Sequence, residues 1–159
     1  MSQRTETLKQ ALTDARQHLN RVLDQVGDRW ETQVYFDGAQ WNARQLLIHL
    51  VIANQGLNNQ AMGIAEGREV IPADFDVNRY NQRSVEKRAE MSVDEARASL
   101  EESLSALLTW LDSADDAALD KTGRHASLRI LSVEQIVRQT AEHERIHAND
   151  LAKALNIAV

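Results

Sequence analysis

The sequence predicts an all-α chain folded as an antiparallel four-helix bundle with one extra short helix. Three observations carry that expectation. Ala, Leu, Glu, Gln and Arg dominate, residues that lose little rotamer freedom in a helix, and one proline and six glycines are all that interrupt them in 159 residues. Four long segments repeat apolar residues at spacings of three and four. No segment shows convincing period-two alternation, so no sheet is expected.

The first segment runs from about Thr5 to Val26, with Leu8, Leu12, Ala15, Leu19, Val22 and Val26 on one stripe, and Gly27 ends it. A loop follows from Asp28 to Trp41, with a turn at Asp37-Gly38. Asn42 caps the second helix with Gln45 as its reciprocal partner, and Trp41 and Leu46 close over the first turn as a hydrophobic staple. Leu46, Leu47, Ile48, Leu50, Val51 and Ile52 then cover nearly every side, which places this helix in the middle of the bundle.

From Glu66 to Phe75 the pattern breaks into a loop, and Val77 to Ala89 reads as the extra short polar helix. Ser92 with Glu95 forms a capping box for the third long helix, lined by Leu100, Leu104, Leu107 or Leu108, and Leu111. Asp112 to Leu131 is mostly connection, with room for a turn of helix. Ser132 with Gln135 is another capping box, Leu131 with Ile136 another staple, and the last helix runs to about Asn156. Helices of this kind joined by polar links pack by default as an up-and-down bundle, here a single domain over residues 1–159.

The net charge of -6 and the lack of a dense Lys/Arg run argue against a nucleic-acid partner. No cysteine is present, so neither disulfides nor thiolate ligands contribute. The longest strongly apolar run, Leu46 to Ala53, is too short to span a bilayer, and MSQRTETLKQ has no apolar signal region, so no membrane association and a cytoplasmic location are expected.

Three of the five histidines sit where bundle helices should present apolar side chains. His143 and His147 occupy consecutive steps of the last helix's inward stripe. Four residues turn about 400°, so the two rings point the same way. His49 interrupts the apolar run of the second helix. A lone buried histidine is ordinarily a satisfied core residue. Two imidazoles side by side compete for donors and cannot both charge, a conflict that a metal resolves. His49, His143 and His147 are therefore the candidate metal ligands. Three imidazoles leave a coordination position open, as a catalytic site requires; zinc is the first expectation, with nickel or iron as alternatives.

Asp150 lies one turn beyond His147 and Glu144 on the flank of the stripe. Both are candidate catalytic groups, orienting a ligand ring or tuning the nucleophile; the bland alternative for each is a solvated or ion-paired helix residue. Gly56, a turn or more beyond His49, leaves room either for a substrate or for a neighbouring helix. His18 and His125 are not expected to bind metal. His143-Glu144-Arg145-Ile146-His147 spells HExxH, but only twelve residues follow His147 here, with no further His or Glu among them, and no sheet edge is expected to hold a peptide. Proteolysis is disfavoured on those grounds.

The stretch Trp41-Asn42-Ala43-Arg44-Gln45-Leu46-Leu47-Ile48-His49-Leu50, the segments Asp76 to Asn81 and Val85 to Ser92, and the closing His143 to His147 together resemble the DinB/YfiT-like metalloenzyme superfamily over almost the whole chain. The resemblance implies a four-helix bundle with a metal at one end, ligated by His49, His143 and His147. It also implies a low-molecular-weight thiol and a small electrophilic substrate as partners, since relatives include thiol-dependent S-transferases and a mycothiol-dependent isomerase. It further implies a homodimer. The expectation is a metal-dependent enzyme acting through an activated thiol or water. The alternative is a non-catalytic binding or stress protein with a structural or regulatory metal, and a metal-free bundle with polar core histidines is a third reading.

Overall fold

A computed structural model describes the whole chain, residues 1–159. Its four long helices are α1 (Gln3–Leu23), α2 (Ala43–Ala65), α4 (Val93–Ser113) and α6 (Val133–Leu155), with α3 (Val77–Lys87) between α2 and α4 and the one-turn α5 (Asp116–Asp120) after α4. Asn42 with Gln45 and Ser132 with Gln135 make both halves of their capping boxes, while Ser92 caps α4 by accepting from the Glu95 N–H. Helix α1 stops at Leu23, short of the expected Val26. The stripe nevertheless holds, because Val26 in the following turn is fully buried.

One expectation is corrected. The connection after α5 contains a two-stranded antiparallel hairpin, β1 (Thr122–Arg124) paired with β2 (Ile130–Ser132). Three residues per strand are too few to display alternation. The hairpin is anchored instead by close packing on α2, where a Cβ on Gly123 would stand 2.6 Å from Cγ1 of Ile64.

The long helices form a bundle of two parallel pairs that run antiparallel to each other. Arg4 near the start of α1 reaches Glu134 near the start of α6, and Arg29 just past α1 donates to the Leu155 carbonyl at the end of α6. Gln55 and Asn58 of α2 bond Ser99 and the Ser103 carbonyl of α4 in step. Asp24, beside the end of α1, accepts from Arg97 at the start of α4. The order is thus down-up-up-down rather than strictly alternating, because α3 and its flanking loops return the chain to the end of the bundle where α2 began.

The core falls into two apolar clusters. One gathers Leu19 and Val22, Leu46 to Ile52, Leu100, and Leu151 with Leu155; the other gathers Leu8 and Leu12, Leu57 to Ile64, Leu107 with Leu111, and Ile136 with Val137. Between them runs a buried polar layer. Arg16 of α1 donates to Glu144 of α6 and to the Leu100 carbonyl of α4, and Asn54 of α2 donates to the same Glu144 oxygen. No helix is long and apolar enough to cross a membrane.

Candidate metal centre

Helices α2 and α6 bring the three histidines to one point. Nε2 of His143 lies 3.2 Å from Nε2 of His49 and 3.0 Å from Nε2 of His147. Tetrahedral nitrogen ligands about 2.05 Å from an ion stand about 3.3 Å apart, so the spacing suits a shared cation. Each ring carries at most one proton when neutral, and three nitrogens meeting at one place cannot all find donors among themselves. A divalent ion satisfies all three lone pairs together, and the donor set of three imidazoles fits it.

Burial keeps the rings neutral. It pushes the His49 imidazole down from its ordinary value to about 2, with His143 and His147 adding to the effect. His143 is lowered to about 3 by burial and by its neighbours His147 and His125, and His147 to about 4 by burial. Neutral imidazoles are the ligating form, so protons compete weakly for the site near pH 7.

The support behind each ring differs. Tyr35, from the loop between α1 and α2, donates its hydroxyl proton to Oδ2 of Asp150 at 2.5 Å and stands 2.6 Å from Nδ1 of His147. With its own proton committed to the carboxylate, the phenol oxygen accepts from the His147 Nδ1–H, which leaves Nε2 of that ring free to ligate. Burial and the Asp150 hydrogen bond both raise the Tyr35 pKa, so the phenol stays protonated. Nδ1 of His49 and of His143 meets no partner. Packing holds those rings instead: Trp41 lies against His49 with centroids 4.5 Å apart, and His143 meets His147 edge-on.

Of the two acidic candidates, Asp150 reaches the triad through Tyr35 rather than directly. Glu144 turns into the polar layer, where its Oε1 accepts from Arg16 and Asn54. It is fully buried, so an exposed position is excluded and the ion-paired reading describes it. His18 pairs with Asn149, away from the triad.

Tyr35 has no counterpart in the sequence reading. It lies in an aperiodic loop and is positioned by tertiary contacts: the Val34 and Tyr35 N–H groups both donate to the Trp41 carbonyl, folding the loop back over the start of α2. The phenol two residues before Asp37-Gly38 was the one available hint, since that turn directs the chain back toward the His49 helix.

A cavity of about 450 Å³ opens beside the centre, with His49 and His143 in its wall. Helix α2 contributes Ile52, Gly56 and Gln60, the 66–76 loop Val70, Ile71 and Phe75, and the hairpin turn His125 to Ser127. A ligand there would lie against two of the three converging rings.

The chain matches the family profile described as the DinB superfamily over residues 11–151. It is similar in structure to YfiT from Bacillus subtilis, described as a probable metal-dependent hydrolase with an unusual four-helix bundle topology. The TM-score is 0.76 at 17% identity, covering 99% of this chain and 91% of that one. No curated protein matches it in sequence.

Proposed function

The chain belongs to the DinB superfamily, and on that premise we propose that it is a metal-dependent enzyme of hydrolytic type, holding one divalent ion on His49, His143 and His147. The observation that carries the reading is the meeting of three neutral imidazole nitrogens, two of them from rings in the wall of an open cavity. The description of YfiT as a probable metal-dependent hydrolase supports the same direction. Such an ion would supply Lewis acidity, lowering the pKa of water, or of a thiol, held beside the three imidazoles.

The protein's own residues hold and orient. Tyr35 and Asp150 fix the His147 tautomer, Trp41 lies against the ring of His49, and Ile52, Val70 and Phe75 give the cavity an apolar wall. A closed structural site would take a fourth protein ligand. The cluster consists of three histidines alone, which favours catalysis over a structural ion. Zinc fits the donor set best, with nickel or iron next.

Metal analysis of protein purified without a histidine tag tests this. Wild type is expected to bind about one zinc per chain and His147→Ala far less, because two imidazoles bind weakly. Ester hydrolysis should vanish on chelation and return with zinc. Metal-free wild type that refuses zinc, or hydrolysis indifferent to chelation, would sink the proposal.

A further inference from the structure

We propose that the cavity beside the histidines takes an electrically neutral small molecule, an ester or carboxamide with an apolar body, whose carbonyl oxygen is met by the Gln60 amide and the His125 ring. The inference deepens the reading above and rests on it for the chemistry, though not for the binding.

Charge comes first. Nineteen residues line the cavity, and none is Asp, Glu, Lys or Arg. A ligand carrying an anion or cation away from the histidines would be desolvated there with no counter-charge, which is costly. A thiol bearing free carboxylates would meet the same obstacle. The chain's salt bridges lie elsewhere; Arg124, on the strand leading to the hairpin turn, is already committed to Glu69 and the Ile71 carbonyl.

Two of the polar side chains that line the cavity, Gln60 and His125, are left with a free donor. Gln60 is 4% exposed, and its Oε1 accepts from the Ala126 N–H at 3.1 Å. Its amide nitrogen has no protein acceptor and lies 3.9 Å from where a Cβ on Gly56 would stand, at the cavity wall. In the hairpin turn, Nδ1 of His125 accepts from the Ser127 N–H at 3.0 Å, which leaves the ring proton on Nε2. Two neutral donors suit a neutral acceptor such as a carbonyl oxygen. The volume of about 450 Å³ falls within the range of small-molecule sites, and Ile52, Leu57, Val70, Ile71 and Phe75 supply the apolar lining.

The test compares 4-phenylbutanamide with 4-phenylbutanoate and 4-phenylbutylamine, titrated into the full chain with and without zinc and followed by amide NMR. In the zinc-free protein the amide is expected to bind at least tenfold tighter than either charged analogue and to shift the Gln60 side-chain amide signals. Gly56→Leu, which puts a side chain into the cavity, should weaken amide binding tenfold or more without changing zinc uptake. Asn59→Arg, at an exposed position on the cavity rim, should shift the preference toward 4-phenylbutanoate. Equal binding of the three probes by zinc-free wild type, or an unchanged preference in Asn59→Arg, would overturn the assignment. Amide preference without zinc uptake would uphold the cavity and count against the metal reading; zinc uptake without amide preference would do the reverse.

Discussion

Arg16 of α1 and Glu144 of α6 meet at 2.6 Å with both side chains almost wholly out of solvent. The glutamate of the HExxH string is therefore held through Oε1, while its Oε2 meets no partner. Its Oε1 takes two guanidinium hydrogen bonds and one from Asn54, so its position is that of a core ion pair and not of a base beside the metal ligands.

Breaking that pair should be expensive. Glu144→Leu leaves the Arg16 charge buried without its main partner, and a loss of about 3–5 kcal/mol is expected from denaturant unfolding. The double variant Arg16→Met/Glu144→Leu should recover most of it, because two apolar groups leave no uncompensated charge. A double variant no more stable than the single one would contradict this account.

Tyr35 is expected to matter for metal retention and little for folding. Tyr35→Phe removes the acceptor from His147 Nδ1, and the zinc dissociation constant should rise about 10–100-fold in competition with a chromophoric chelator. Asp150→Asn should have a smaller effect, since the hydroxyl remains. Unfolding midpoints close to wild type for both would separate orientation of the ligand from damage to the fold.

Acid should act on the metal-free protein through its histidines. His49, His143 and His147 have folded values of about 2, 3 and 4 against an ordinary 6.5. The folded state therefore binds fewer protons than the unfolded one below pH 6.5. Their contribution is complete above that pH and is lost as the pH falls toward 4 and below. Thermal unfolding between pH 7 and 4 should show a falling melting temperature, with a shallower slope in His147→Leu. A slope identical in the two proteins would rule out this origin.

Two glycine substitutions should move stability in opposite directions. At Gly56 a new Cβ would meet nothing nearer than Gln60 Nε2 at 3.9 Å, so Gly56→Ala gains helix propensity and is expected to stabilise by up to about 1 kcal/mol. At Gly123 a Cβ would stand 2.6 and 2.7 Å from two atoms of Ile64, and Gly123→Ala should destabilise by about 1–3 kcal/mol. Calorimetric melting of both variants checks the pair.

Local signals in the sequence located the helices because each carries its own punctuation. Asn42 with Gln45, and Ser132 with Gln135, announce helix starts within four residues, and the stripes between them need no knowledge of distant chain. The His143–His147 spacing likewise depends on helix geometry alone. What escaped was non-local. Tyr35 owes its place to hydrogen bonds with the Trp41 carbonyl, and the hairpin at Thr122 owes its place to Ile64, more than fifty residues earlier. The direction of α4 depends on how α3 carries the chain back, which no periodicity encodes.

That layer also sets how the helices line up end to end. Leucine against leucine tolerates sliding, since one apolar contact replaces another. Arg16, Asn54 and Glu144 do not, because a slip of one helical turn, about 5.4 Å, would carry each of them into one of the two apolar clusters. The alignment that joins guanidinium to carboxylate also brings the ring of α2 level with the two rings of α6. A protein whose polar layer had been replaced by aliphatic side chains could remain folded and yet lose the vertical registration on which convergence of its imidazoles depends.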